Sequence, residues 1–219
     1  MKTNTIITIG RQFASGGRDI GEMIAKDFGI KIYDKEMLSR AAKESGICEE
    51  IFETHDEKPT NSFLYSLVMD TYSMGYTGST YTDMPINHKV FLAQFDAIKK
   101  IADEGPCVLV GRCADYALEN YDNVVSVFIH ADLNSRIRRV ANHYDLPDNK
   151  AKDMINKTDK KRASYYNYYT NKRWGDAESY ELCLNSSQLG IEGTAKMIEQ
   201  YVLLKEQFQN DSEHKFKIF

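Results

Sequence analysis

The sequence predicts an α/β protein in which an open parallel sheet of about five strands is covered by helices on both faces. Three observations predict this class: short β-branched apolar runs recur along the chain, most precede a helical pattern, and a glycine-rich turn joins the first run to its helix. The 219 residues are enough for one substantial core. We therefore expect a single domain over residues 1–207 and a polar tail over 208–219.

The N-terminal segment predicts a strand, a turn, a helix and a second strand. Residues 5–9 form a β-branched run that ends at Gly10, as a buried parallel strand does. From residue 18 apolar side chains recur at every fourth position until Gly29, which is a helix stop signal. Residues 30–33 resume the strand pattern. This order is that of a βαβ unit.

The same alternation continues through the rest of the chain. In order, the patterns predict a helix that stops at Gly105, a strand in "PCVLVGR", a strand over 124–129, a helix after Asp132, a strand in "YELCLN" and a closing helix over 191–204. Because parallel strands joined by helices bury both faces of their sheet, these elements belong to one layered core.

Two segments interrupt the alternation. Residues 57–87 are rich in Tyr, Ser, Met and Gly, and residues 144–176 are dense in Lys, Arg, Asn and Tyr with little apolar periodicity. Long irregular segments of this kind commonly cover functional sites. We expect the first to be an insert and the second a mobile lid, both outside the core.

Charge and cysteine content narrow the function classes. The 28 basic and 32 acidic residues give a net charge of −4, which argues against a general nucleic-acid or membrane-binding surface. The four cysteines show neither metal-ligand spacing nor a disulfide framework. No apolar run has the length of a membrane span, and the N-terminal apolar stretch is too short for a signal peptide. These features predict a cytoplasmic protein.

The turn after the first strand has the character of a phosphate-binding loop. Glycines between a strand and a helix let backbone N–H groups point into one cavity, and the helix N terminus adds partial positive charge. Ser15, Gly16 and Gly17 occupy the tightest part of this turn. The alternative interpretation is a simple glycine turn in which Asp19 favours the helix dipole.

The loop departs from the strict pattern G-x-x-x-x-G-K-[ST]. If Gly16 is the last glycine of the loop, Gly17 stands where lysine is expected and Arg18 follows it. Lysine acts in such loops as a point charge on the β and γ phosphates, whereas arginine is a planar fork with a different reach. Arg18 is the candidate replacement for this charge, and loss of the reaction together with the lysine is the alternative.

Six segments together carry a family resemblance. They are "ITIGRQFASGGRDIG", "YDKEML", "CVLVGRCADYAL", "RIRRV", "DKKRASYYNYYTNKRWG" and "YELCLNSSQLG", and they span about residues 5–201. In this combination and order the chain resembles the cytidylate kinase-like family, relatives of the bacterial cytidylate kinases among the P-loop nucleoside monophosphate kinases. The resemblance implies a three-layer P-loop kinase fold, an acceptor-binding insert, a lid, and transfer of a γ-phosphoryl group from ATP to a monophosphate.

The resemblance also implies roles for particular residues. Asp34 and Arg112 would bind the acceptor, and Asp19 would approach Mg²⁺, although the family's magnesium-binding residue in this turn is normally Ser or Thr. The implied ligands are ATP, Mg²⁺ and small-molecule nucleotides, with no nucleic acid or membrane and with the oligomeric state left open. The residues implied for ATP phosphates are Arg11, Ser15, Gly16, Gly17, Arg18 and Asp19, and those implied for catalysis are Arg18, Arg138, Arg139 and Arg162.

Other interpretations remain open for several of these side chains. Arg138 and Arg139 lie off the apolar stripe of their helix, so a solvated helix face explains them equally well. Arg112 follows a predicted buried strand, which favours a site role over a surface ion pair. At the level of function, the alternatives are a nucleotide-binding regulator that lost the reaction with the lysine, and a kinase for a different small metabolite.

Overall fold

A computed structural model describes residues 2–34, 36–46, 51 and 85–210. Its strands are β1 (Ile6–Arg11), β2 (Lys31–Tyr33), β3 (Cys107–Val110), β4 (Val124–His130) and β5 (Leu182–Asn185). Its helices include α1 (Gly17–Phe28), α2 (Glu36–Ser45), α3 (Ile86–Asp103), α4 (Ala114–Ala117), α5 (Leu133–Tyr144), α6 (Asp148–Thr170) and α7 (Ser186–Asn210).

The five strands form one sheet in the order β2-β3-β1-β4-β5, and every pairing is parallel. The predicted fold class is therefore confirmed. β1 lies at the centre, with Ile7 paired to Val108 of β3 on one side and to Val125 of β4 on the other. The strands that follow β1 in the chain lie on both sides of it, so the connections diverge at its carboxyl end. Open α/β sheets bind ligands in the crevice that forms at such a point.

The βαβ unit predicted at the N terminus is present. α1 buries Ile20, Ile24 and Phe28 against the sheet, which are the positions recurring at four-residue steps. Gly29 ends the helix with φ 70°, a left-handed conformation that glycine adopts without steric cost. This packing fixes the N terminus of α1 at the carboxyl edge of β1.

The predicted lid segment, 144–176, contains a regular element that the sequence pattern did not reveal. Its central part is the 23-residue helix α6. The C-terminal turns of this helix bury Tyr165, Tyr166 and Tyr169, and the Tyr169 ring stacks on Phe91 of α3 with centroids 3.9 Å apart. Tyrosines rather than aliphatic residues form the buried stripe, so apolar periodicity was low. The expectation that this segment lies outside the core was therefore wrong for its C-terminal turns.

The structure describes only part of the predicted insert and of the predicted C-terminal tail. Of the predicted insert, 57–87, residues 57–84 lie outside the described residues, and α3 begins at Ile86. The last helical element extends from Ser186 to Asn210 and is interrupted at Gly190, whose backbone is not helical. Its second part therefore begins at the predicted residue 191 and continues past the predicted end at 204. Residues 211–219 of the predicted tail lie outside the described residues. None of the helices in the described part of the chain has the length and apolar character that a membrane crossing requires.

Candidate functional site

The turn between β1 and α1 forms a concave backbone surface. Ala14 and Gly16 both have left-handed φ values, 59° and 82°, and Gly16 is the N-cap of α1. The N–H groups of a first helical turn have no intrahelical acceptors and carry partial positive charge. Ser15 is fully buried in the turn, and its Oγ has no hydrogen-bond partner among the described residues. This arrangement is suited to an anion such as phosphate.

The two charged residues at the start of α1 lie on its exposed side. Arg18 Nε contacts Glu22 Oε1 at 3.0 Å and lies 3.8 Å from Asp34 Oδ2, with 57% of its side chain exposed. Asp19 is also exposed. Within the described residues, no group of three His, Cys, Asp or Glu side chains is placed to hold a metal ion. Any cation bound near Asp19 would therefore need further ligands from a substrate.

A strained turn after β3 presents a second cation to the same edge of the sheet. Gly111, Arg112 and Cys113 are three consecutive residues with left-handed φ, at 80°, 54° and 56°. Such backbone is costly for residues with a Cβ and is concentrated at functional sites. Arg112 Nη1 donates to Asp34 Oδ1 at 2.7 Å and to the Val110 carbonyl oxygen at 3.0 Å. The predicted acceptor residues are thus in direct contact.

Two of the arginines implied for catalysis hold the loop backbone. Arg139 of α5 donates to the Ala14 carbonyl oxygen at 3.1 Å, and Arg162 of α6 donates to the Arg11 carbonyl oxygen at 3.3 Å. Both guanidinium groups therefore lie beside the loop. Arg138 lies on the exposed face of α5, and the structure does not place it with them.

A buried ion pair that the sequence did not indicate joins the loop to both helices. Arg136 Nη1 of α5 contacts Asp159 Oδ2 of α6 at 2.5 Å. Asp159 Oδ1 accepts a hydrogen bond from the Phe13 backbone N–H at 2.7 Å. Arg136 is four residues before buried Val140 and therefore lies on the same helical face. This spacing was the one sequence feature that could have predicted a buried Arg136. Asp159 lies in a lysine-rich run, where no sequence pattern separates it from solvated neighbours.

These elements enclose a small pocket at the carboxyl ends of β1 and β3. Arginines from three different elements reach it, together with one carboxylate and a wall of aromatic rings. The lining residues are Gly10, Arg11, Gly111, Arg112, Cys113, Asp115, Arg162, Tyr165, Tyr166, Trp174 and Tyr180. Positive charge next to a helix N terminus gives the pocket affinity for anions.

Asp115 is a pocket carboxyl that the sequence analysis did not select. Its Oδ2 accepts a 2.6 Å hydrogen bond from Tyr166 Oη. Burial raises the pKa of Asp115, although the Tyr166 hydrogen bond and the Lys172 charge lower it in part. Asp115 is three residues after Arg112 and so lies near the end of a strand. This position was the only sequence feature that could have indicated a role for Asp115 in the site.

This raised pKa predicts a pH-dependent stability difference for Asp115→Asn. A carboxyl whose folded pKa is above its unfolded value, about 3.9, loses its stabilising contribution as pH rises through the folded pKa. Asparagine still accepts from Tyr166 but carries no charge. We expect the unfolding free energies of variant and wild type to differ increasingly from about pH 4 upward, in favour of the variant. Urea denaturation at several pH values measures this difference, and a pH-independent difference would contradict it.

Comparisons with known proteins indicate the family and the fold of the chain. The family model described as the cytidylate kinase-like family matches residues 6–188. An uncharacterized protein from Eubacterium ventriosum has a similar structure, with TM-score 0.68 and 26% identity over 90% of this chain and 98% of that chain. No curated protein sequence matches significantly.

A more distant structural relative indicates the fold class. Shikimate kinase from Bacteroides thetaiotaomicron matches with TM-score 0.51 and 12% identity over 90% of this chain and 98% of that chain. At this identity the likeness concerns the fold alone, a parallel sheet with a loop at the N terminus of α1. Together with the family match over most of its length, these findings show that the chain belongs to the cytidylate kinase-like family.

Proposed function

We propose that this protein transfers the γ-phosphoryl group of ATP to a nucleoside monophosphate, with cytidylate as the expected acceptor. The observation that carries the proposal is the convergence of Arg11, Arg112 and Arg162 on one pocket beside the N terminus of α1. Phosphoryl transfer spreads negative charge over several oxygens, so its catalysis consists mainly of positioning and charge stabilisation. Family membership and the kinase fold support phosphotransfer in general.

The loop is the proposed site for the donor phosphates. Backbone N–H groups of Ser15, Gly16 and Gly17 and the N terminus of α1 would bind them. Mg²⁺ is commonly held by one or two carboxylates together with substrate phosphates. Asp19 offers one exposed carboxylate in the first turn, so the residues present fit an ion that arrives with ATP. The ion would neutralise charge on the phosphates.

The pocket is the proposed site for the acceptor. The Arg112 guanidinium, oriented by Asp34, would bind the acceptor phosphate, because its fork matches phosphate oxygens. Asp115 supplies an acceptor for a hydroxyl group, and the Trp174 and Tyr180 rings supply an apolar wall for a base. These charged, polar and aromatic groups are compatible with a nucleotide acceptor.

The arginines beside the loop would stabilise the transferring group. Arg139 and Arg162 already contact loop carbonyl oxygens, which places them near the proposed donor phosphates. Closure of the surrounding helices over these charges would exclude water, and exclusion limits hydrolysis of ATP. The roles of Arg18 and Arg138 stay predictions, since both lie on exposed helix faces.

One observation favours the alternative of a nucleotide-binding regulator. Gly17 stands where lysine is expected, and Arg18 is paired with Glu22 on the exposed side of α1. A loop that binds phosphates without a suitably placed cation would bind ATP and catalyse nothing. This alternative and the proposed kinase differ in turnover, not in ATP binding.

A panel of acceptors separates the possibilities. Purified protein is incubated with ATP, Mg²⁺ and, in turn, cytidylate, uridylate, adenylate, guanylate and shikimate, and products are separated by chromatography. We expect a nucleoside diphosphate and ADP in equal amounts, with the highest turnover on cytidylate. ATP binding without transfer to any acceptor would indicate the regulator. Transfer to shikimate alone would indicate a kinase for a hydroxylated metabolite.

A further inference from the structure

Arg11, the last residue of β1, follows an unusual course across the loop. A Cβ at Gly17 would lie 2.7 Å from Arg11 Cβ and 3.1 Å from its Cγ. A Cβ at Gly111 would lie within 3.2 Å of three atoms of the Arg11 guanidinium. The side chain therefore runs from the N terminus of α1 to the turn after β3. Its charged end reaches the pocket that also contains Arg112 and Arg162.

The structure assigns to Arg11 the charge that phosphate loops normally take from lysine at the position of Gly17. In this assignment, which rests on the proposed function, the Arg11 guanidinium contacts the β and γ phosphates of ATP and faces the acceptor site. The charge comes from the strand before the loop and not from the helix after it. Arg18, which the sequence analysis favoured, is then not the replacement.

The Arg11 side chain also explains why residue 17 is glycine. It is the first residue of α1, and its φ is not among the positive values found in the structure. Its backbone would therefore accept any residue, and only the space occupied by Arg11 excludes a side chain. The closest blocking atom is Cβ, at 2.7 Å, and its position is fixed by the strand backbone, so it cannot turn aside. Arg11 therefore occupies the space that a lysine side chain at position 17 would need.

The position of Arg11 also meets the chemical requirement better than that of Arg18. Charge stabilisation requires cations that lie between the donor phosphates and the acceptor. Arg11 lines the pocket between the α1 N terminus and Arg112. Arg18 is 57% exposed and bonded to Glu22, and its approach to the site is a longer contact of 3.8 Å from its Nε to Asp34 Oδ2. A partly enclosed cation interacts with phosphate more strongly than an exposed one, because solvent screens it less.

The test replaces Arg11 by methionine, which keeps the aliphatic stem against Gly17 and removes the charge. ATP affinity is measured by calorimetry, turnover by product formation and folding by thermal denaturation. We expect the ATP Kd to rise ~10- to 100-fold in Arg11→Met, with an unchanged melting temperature, because a charged hydrogen bond to phosphate is lost. Arg11→Lys should lose less. Lys26→Ala, an exposed cation at the other end of α1, is the control and should bind ATP as the wild type does.

The Gly17→Ala substitution tests separately whether Arg11 excludes a side chain at position 17. In the wild-type background we expect the melting temperature to fall by ~5 °C through the contact with Arg11. In an Arg11→Gly background the same substitution should not lower it, because the blocking Cβ is gone and alanine favours the helix.

The outcomes distinguish this assignment from the proposed function. A wild-type protein that binds no ATP would overturn both. Unchanged ATP affinity in Arg11→Met, with wild-type binding intact, would overturn the Arg11 assignment alone. So would a larger loss in Arg18→Met than in Arg11→Met, or a Gly17→Ala effect that is equal in both backgrounds.

Discussion

Arg112→Lys is expected to lower kcat/KM for the acceptor about 100-fold or more while leaving ATP affinity within about twofold of wild type. The Arg112 side chain is 4% exposed, and its Nη1 is fixed by Asp34 Oδ1 and by the Val110 carbonyl oxygen. Lysine keeps the charge but has no planar fork, so it cannot bind Asp34, the carbonyl and an acceptor phosphate in one fixed orientation. Steady-state kinetics with either substrate varied measures the two effects separately.

The backbone at Arg112 strengthens this expectation. Three consecutive left-handed residues cost conformational energy that a purely structural turn would not need, since glycine could occupy the second and third positions more cheaply. The turn directs the guanidinium toward Asp34 and the pocket. A surface ion pair, the alternative considered from the sequence, would not require a buried side chain on strained backbone.

A matched control exists at the opposite edge of the sheet. Arg40 of α2 is also ion-paired, to Glu44 at 2.9 Å and to Glu104 at 2.5 Å, beside the start of β3. Arg40→Lys should change kcat/KM less than about twofold, because an exposed pair contributes little and lies away from the pocket. If Arg112→Lys kept wild-type kinetics on every acceptor that the enzyme uses, Arg112 would not belong to the acceptor site.

Local pattern and turn chemistry were enough to predict the fold class. The apolar steps in α1 and the stop at Gly29 depend on neighbours within one turn of helix, and the structure confirms them. The strand order β2-β3-β1-β4-β5 was not predicted, because right-handed βαβ connections alone allow several orders. α6 was missed for a physical reason: apart from Ala151 and Ile155, its buried apolar residues are tyrosines, which periodicity of aliphatic residues does not detect.

The site was less accessible to sequence reasoning, because its contacts connect distant positions. Residues that directly follow strands, such as Asp34 and Arg112, could be placed at the sheet edge, and the structure brings them into contact. The course of Arg11 over Gly17 and Gly111 depends on tertiary packing, and no spacing predicts it. Arg136 and Asp159 come from different helices, so their pairing required the relative position of α5 and α6.

That ion pair leads to the second large effect, which is on stability. Asp159→Asn is expected to reduce the unfolding free energy by about 3 to 5 kcal/mol, since it leaves the largely buried Arg136 charge without its partner. The side chains are 9% and 16% exposed. An asparagine amide in this place has one oxygen for two donors, so its NH2 group would face either the guanidinium or the Phe13 N–H. Urea denaturation measures the loss.

A pair of similar length but different burial provides the control. Glu192 and Lys196 of α7 contact each other at 2.7 Å, with 71% and 64% of their side chains exposed. Glu192→Gln should leave the unfolding free energy close to that of the wild type, because water replaces the lost interaction and screens the remaining charge. Equal losses in the two variants would mean that burial does not govern the Arg136–Asp159 pair.

Replacing both partners separates stability from the function of the loop. Arg136→Met combined with Asp159→Leu removes both charges, so most of the stability lost in Asp159→Asn should return, because apolar residues of similar volume commonly replace buried ion pairs at little cost. The double variant cannot accept the Phe13 N–H, however, and the loop loses its link to α6. We expect ATP affinity to stay reduced about tenfold while the unfolding free energy recovers. Recovery of both quantities together would mean that the pair only stabilises the fold, whereas recovery of stability alone would identify Asp159 as a residue that positions the phosphate loop.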